Sequence, residues 1–210
     1  MRTRCLVLFC AALLLAPLRA AGDPAGRFDY WLLAVTWMPS WCALEGDARG
    51  DARCGSGARW GLHGLWPQYE RGWPEYCRSP HPDPSRNDTA AQAGLFGASG
   101  LAWHQWRKHG RCSGLSPSAY FAASAEALQA RILPDLDALA GPPPVPAIRL
   151  AGLLRRADPA LGPLSQVAVC RAGHFLEIRF CLDRDFGPRA CGADVIERAC
   201  RARVRLPPPG

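Results

Sequence analysis

Apolar and polar positions divide the chain into an apolar leader, a strand-rich stretch, a middle crowded with breakers, helical segments and a closing hairpin. At the start, Arg2 and Arg4 precede an apolar run from Cys5 to Leu18, which ends in small residues at Ala20 and Ala21. This pattern predicts a cleaved signal peptide over residues 1–21, too short for a membrane-spanning helix of ~20 residues. No later segment is apolar enough to span, so residues 22–210 are expected to form one soluble domain with a full core and no membrane partner. From Arg27 to Trp37 aromatic and β-favouring residues predict a first central strand, stopped by Pro39. A second strand, around His63, should pair with it, and the stretch Cys42 to Arg59 reads as a polar, glycine-rich loop.

Residues 68–100 carry Pro74, Pro80, Pro82 and Pro84 among several glycines, too many breakers for long regular structure. His81 lies there between two prolines and is expected in solvent. Ser116-Pro117 is a good N-cap and first-turn pair for an amphipathic helix running to Leu133. Gly141 to Pro146 reads as a connector and Ala147 to Ala157 as a short helix. Ser165 to Cys170 and Phe175 to Leu182 predict a hairpin around Arg171 to His174, with Leu176, Ile178, Phe180 and Leu182 on its buried face. The tail from Cys191 should begin helical and end as a basic, proline-rich segment. These elements make an α+β fold, helices packed on one central antiparallel sheet.

Charge and cysteines add a compartment and a class of partner. Loss of Arg2, Arg4 and Arg19 with the leader leaves 22 basic residues against 18 acidic, a net of +4. That balance agrees with a polyanionic partner without requiring one. Cys5 and Cys10 leave with the leader. Cys42, Cys54, Cys77, Cys112, Cys170, Cys181, Cys191 and Cys200 remain, an even set suited to disulfides in an oxidising compartment, and 105 pairings of the eight are possible. No Cys-x-x-Cys pair exists, which argues against zinc.

Of the 25 basic residues, Lys108 is the single lysine. A compact ammonium and a guanidinium fork are not interchangeable at a reacting centre, so Lys108 reads as a chosen residue. It lies in the run Trp103-His104-Gln105-Trp106-Arg107-Lys108-His109-Gly110-Arg111-Cys112. On a helix with His104 at 0°, Lys108 falls near ~40°, Gln105 near ~100° and His109 near ~140°, while Trp103, Trp106 and Arg107 occupy the other arc. One arc holds every candidate catalytic group, and Gly110 is placed to end the helix. Upstream, Trp60-Gly61-Leu62-His63-Gly64-Leu65-Trp66-Pro67-Gln68 sets a third histidine between glycines that allow close approach by another backbone or a ligand. Two histidines and a cation are the minimum kit for phosphodiester transfer without metal: one imidazole takes a hydroxyl proton, the other protonates the leaving oxygen, and the cation steadies the phosphorane.

His-Gly-Leu-Trp-Pro followed by His-x-Trp-x-Lys-His-Gly-x-Cys resembles the two signature segments of the ribonuclease T2 family of secreted endoribonucleases, and the alanine, arginine and proline bias is similar to its bacterial members. In a bacterial host the Asn87-Asp88-Thr89 sequon is silent. The resemblance implies cleavage of single-stranded RNA to 2′,3′-cyclic phosphate ends, hydrolysed slowly to 3′-phosphates, by a protein exported to the periplasm or beyond. It implies no cofactor and no metal, and a monomer is expected. His109 would be general base toward the 2′-hydroxyl and His63 general acid toward the 5′-oxygen. His104 would hold a phosphate oxygen, and Lys108 would stabilise the pentacoordinate state. Trp66 would stack a base, with Gln68 and Tyr69 as base-edge contacts. The family also implies Cys77 with Cys112 and Cys170 with Cys200; proximity then suggests Cys42 with Cys54 and Cys181 with Cys191. At Gln105 the family usually carries glutamate, so a slower enzyme with a displaced pH optimum is expected. The alternatives are a secreted RNA-binding protein of the same fold with weakened or lost catalysis, and a disulfide-stapled scaffold that would leave both histidine motifs unexplained.

Overall fold

The computed structural model describes residues 23–210; the leader predicted over residues 1–21 lies outside them. In chain order the strands are β1 (Tyr30–Trp37), β2 (Trp60–Gln68), β3 (Val145–Pro146), β4 (Gln166–Arg171), β5 (His174–Leu182) and β6 (Arg203–Val204). The helices are α1 (Met38–Trp41), α2 (Arg86–Ala91), α3 (Ala93–Phe96), α4 (Ser99–Lys108), α5 (Pro117–Gln129), α6 (Ala147–Ala157) and α7 (Ala193–Ile196). One four-stranded antiparallel sheet runs in the order β2-β1-β5-β4, and β3 pairs with β6 in a separate two-residue ladder. The architecture is α+β. No described helix is long and apolar enough to cross a membrane.

Strand alternation decides what each face of the sheet meets. Trp31, Leu33, Val35 and Trp37 of β1 join Ile178, Phe180 and Leu182 of β5 in the main core, beneath Trp106 of α4, Tyr120 and Phe121 of α5 and Leu150 and Leu154 of α6. Tyr30, Leu32 and Ala34 point the other way, into a smaller cluster with Val167, Cys181, Cys191 and Val195. That second cover is short. It leaves the His63 end of this face open to solvent.

Four disulfides staple the fold: Cys42–Cys54, Cys77–Cys112, Cys170–Cys200 and Cys181–Cys191. Several local expectations need correction. The stretch after Pro39 begins with helical turns through Arg49, not as open loop. Residues 68–100 hold no long element, as expected, only the short α2 and α3 before α4 begins; α2 is nucleated by a capping box in which Ser85 Oγ accepts from Asp88 N–H and Asp88 accepts from Ser85 N–H. His81 is half-buried. The helix opened by Ser116 ends at Gln129, short of Leu133. Leu176 is not on the buried face. Val169 pairs with Glu177 and Cys170 with Phe175, so Leu176 is the extra residue of a β-bulge and turns outward while Phe175 enters the core.

Candidate active site

The site forms where β2, at the sheet edge, meets α4. Tyr120 fixes the strand from below: its hydroxyl donates to Leu65 O at 2.9 Å, and its ring packs 5.9 Å from Trp106. Trp106 is fully buried, and its indole N–H donates to Asp83 at 2.8 Å. The end of α4 is held by the Cys77–Cys112 disulfide and by Tyr76 N–H donating to Lys108 O at 2.9 Å. The helix ends at Lys108 and passes into a tight turn over Gly110–Ser113; at Gly110 any Cβ would collide with Trp106 and Tyr120, so the packing requires a glycine there.

Gly64 has the same role on the strand: a Cβ would strike Gln105 Oε1 and Trp66 Nε1. Its absence lets Gln105, 1% exposed, accept a hydrogen bond from the Trp66 indole at 2.7 Å. His63 owes its direction to a bulge. Ala34 pairs with Gly64 and Val35 with Leu62, which leaves His63 unpaired in the ladder and re-aimed.

His63, Trp66, Gln68, His104, Gln105, Lys108 and His109 come together around one cavity of about 220 Å³. The imidazole centroids of His63 and His109 each lie 5.0 Å from Trp66, edge-on for His63 and stacked for His109. His109 is 5% exposed, and its buried Nδ1 has no hydrogen-bond partner among the described residues. Burial, then the charges of Lys108, His63 and His104, push its pKa down to about 2, so it is a neutral proton acceptor. His104 stands at the exposed mouth; desolvation and the charges of Lys108, His63 and Arg107 hold it below the ordinary histidine range. Lys108 lies 3.5 Å from Glu75. A phosphate in the groove would offset these positive charges and make both imidazoles better bases.

The groove does not treat all the expected base contacts alike. Trp66 is already engaged by His109, by Gln105 and by the Arg179 guanidinium 5.4 Å from its ring, so it is a spacer between the histidines more than a free stacking platform. Gln68 borders the cavity but is 4% exposed and donates its amide to Pro67 O. Tyr69 is not among the lining residues, and its ring packs against the core.

Other lining residues escaped sequence reasoning. Trp73, 40% exposed, stands at the rim with the Arg198 guanidinium 5.3 Å from its ring, beside Asp194. Arg179 lines the cavity from β5 and pairs with Glu177, which also reaches His63. One signal was available: Leu176-Glu177-Ile178-Arg179-Phe180 puts opposite charges at i and i+2 of an apolar strand, on one face and within reach of each other. Elsewhere, Cys42, Asp47 and Cys54 are the one grouping with metal-ligand spacing among the described residues, and their disulfide consumes the thiolates a metal would need.

Comparison with known proteins gives the family. The model described as the Ribonuclease T2 family matches residues 28–140, which include both histidine segments. A ribonuclease of Aeromonas hydrophila is 39% identical over 124 residues, 57% of this chain and 55% of the relative. A probable ribonuclease of Haemophilus influenzae is 30% identical over 121 residues, 51% of this chain and 44% of the relative. The chain spans about half the length of the curated relatives it matches. Among solved structures, an RNase-related protein from Calystegia sepium superposes with a TM-score of 0.64 at 18% identity, covering 86% of this chain and 98% of that one. RNase NT in complex with 5′-AMP gives a TM-score of 0.60 at 20% identity, covering 87% and 99%. At such identities the likeness is one of fold. The family match spans more than half of the chain and contains its whole histidine cluster, and on that ground the chain belongs to the ribonuclease T2 family.

Proposed function

We propose that this protein is an endoribonuclease that cleaves single-stranded RNA by transphosphorylation, leaving 2′,3′-cyclic phosphates that are slowly hydrolysed to 3′-phosphates. The observation that carries the reading is the convergence of His63, His104, Lys108 and His109 on one cavity, with an imidazole on either side of Trp66. His109, neutral through burial, takes the 2′-hydroxyl proton as that oxygen attacks phosphorus. His63 gives a proton to the departing 5′-oxygen. His104 and Lys108 hold and neutralise the phosphorane oxygens, and Gln105 is a neutral donor beside them. Acid, base and charge stabilisation are all supplied by side chains, so no step calls for a metal.

Base stacking is better assigned to Trp73 than to Trp66, since its ring is exposed at the rim and flanked by Arg198. A base stacked there would contribute about 1–3 kcal/mol. The four disulfides suit an exported protein working in an oxidising compartment.

The test is cleavage of single-stranded RNA by the oxidised protein in excess EDTA between about pH 4 and 8, the range in which histidine acids and bases exchange roles. Cyclic 2′,3′-phosphate termini made by wild type and not by His63→Ala are expected, as is resistance of a substrate with 2′-deoxyribose at the attacked position. Gln105 favours one other reading, an RNA-binding protein without catalysis. Folded wild type that binds RNA and cleaves none of it at any pH would establish that reading instead.

A further inference from the structure

The proposed general acid has a partner that lies outside both histidine segments and beyond residues 28–140. His63 Nδ1 lies 2.8 Å from Glu177 Oε2 on β5. The other oxygen, Glu177 Oε1, accepts from Arg179 Nε at 2.8 Å and lies 2.7 Å from Arg179 Nη2. Glu177 is 2% exposed, whereas the His63 side chain is 40% exposed. The buried group is therefore the fixed one, and the catalytic imidazole is the one it steadies. We infer that Glu177 is the positioning residue of the general acid: it takes the Nδ1 proton of His63 as a hydrogen bond and so turns Nε2, with its transferable proton, toward the 5′-oxygen of the scissile phosphate. The inference rests on the transphosphorylation reading.

The sheet makes this contact possible. β2 and β5 are not neighbours; β1 lies between them, with Ala34 and Thr36 opposite Arg179 and Glu177. Adjacent strands are about 4.8 Å apart, so two side chains must bridge about twice that distance. The bulge frees His63 from the ladder, and Ala34 is too short to obstruct the bridge.

Charge argues in the same direction. A buried carboxylate is costly unless it is paired, and a purely structural position here could hold an apolar residue instead. Both partners of Glu177 face the catalytic groove, and among the described residues it is the one carboxylate in ion-pair contact with an imidazole. Burial alone would raise its pKa, but the hydrogen bond and charge of His63 and the charge of Arg179 outweigh burial and hold it below its ordinary value. This pairing favours the anionic form of Glu177. During cleavage the P–O5′ bond breaks, the 5′-oxygen takes the Nε2 proton, and the neutral ring keeps its remaining proton on Nδ1 against Glu177. With glutamine at 105, this is where the site keeps a carboxylate against a catalytic histidine.

The variant is Glu177→Gln. Its single oxygen is claimed by Arg179, which turns the amide NH₂ toward His63 Nδ1 and denies that proton an acceptor. Two substrates separate the role of the acid from general damage: a dinucleoside monophosphate, whose 5′-oxygen must be protonated, and the 4-nitrophenyl ester of the same nucleoside 3′-phosphate, whose leaving group departs unaided. We expect Glu177→Gln to lose about 10²-fold or more in kcat on the first and to stay within about tenfold of wild type on the second. Side-chain ¹⁵N NMR of wild type should show neutral His63 protonated on Nδ1. Equal losses on both substrates, or a wild-type ring protonated on Nε2, would overturn the inference. Wild type inert toward both substrates, with the Nδ1 proton in place, overturns the transphosphorylation reading instead. The wild-type spectrum decides the hold on His63 even if the variant does not fold.

Discussion

The Trp66 indole donates to Gln105 Oε1 at 2.7 Å, and this bond joins the strand that carries His63 to the helix that carries His104, Lys108 and His109. Gln105→Glu keeps an acceptor in the same place and adds a negative charge beside two imidazoles that burial, and then positive neighbours, hold below their ordinary range. The added charge raises the pKa of both. Because the general base must be unprotonated, the acid limb of the kcat/KM profile should move to higher pH, and kcat should rise by up to about 10²-fold. Steady-state kinetics across pH are the check; superimposable profiles would show that residue 105 does not address the base.

Gly64 is the other half of that seam. In Gly64→Ala the new methyl meets Gln105 Oε1 and Trp66 Nε1, and neither can withdraw without breaking their bond. Overpacking of this kind costs about 1–3 kcal/mol. Stability to urea should fall by that amount, and kcat should fall with it because β2 and α4 no longer hold their histidines in register. A variant with wild-type kcat and wild-type stability would mean that the seam is looser than the contact geometry implies.

A buried ion pair far from the groove tests the fold alone. Arg131, just past α5, and Asp158, at the end of α6, lie 3.1 Å apart with side chains 7% and 5% exposed. Asp158→Asn leaves the guanidinium buried without its counter-charge, and removal of one partner of such a pair costs about 3–5 kcal/mol. Equilibrium denaturation should report that loss, with kcat for the surviving folded protein unchanged.

Much of this was legible because the motifs are local. Helical periodicity alone gathers His104, Gln105, Lys108 and His109 on one arc, and Ala147–Ala157 forms the helix its pattern predicts. What stayed hidden depends on contacts across the sheet. Glu177 and Arg179 read as the polar side of an alternating strand, and only the order β2-β1-β5 and the bulge at His63 turn that side toward the groove. Trp66 reads as a stacking platform because a sequence does not say that its ring is already taken by His109 and Arg179. Trp73 hides in a stretch whose prolines and glycines suggest only irregularity.

The low pKa of His109 carries a stability signature. In the unfolded chain it titrates near the ordinary value of 6.5, whereas in the folded protein burial and the neighbouring charges of Lys108, His63 and His104 bring it down to about 2. Between these values the unfolded chain binds a proton that the folded protein refuses. The contribution of this group is therefore fully present above about pH 6.5 and is lost as pH falls, by about 1.4 kcal/mol per pH unit while the ring stays neutral. His109→Asn removes the titrating group. Urea denaturation at intervals from about pH 7 to pH 4 should give a shallower fall in unfolding free energy for the variant, while the slope due to Glu177 and the other paired carboxylates remains in both. A phosphate analogue in the groove should act on the wild type in the opposite sense, since its negative charge restores the basicity of His109 and flattens the curve. Parallel curves for wild type and variant, with and without the anion, would mean that His109 protonates freely in the folded protein and is not the preset base assigned to it.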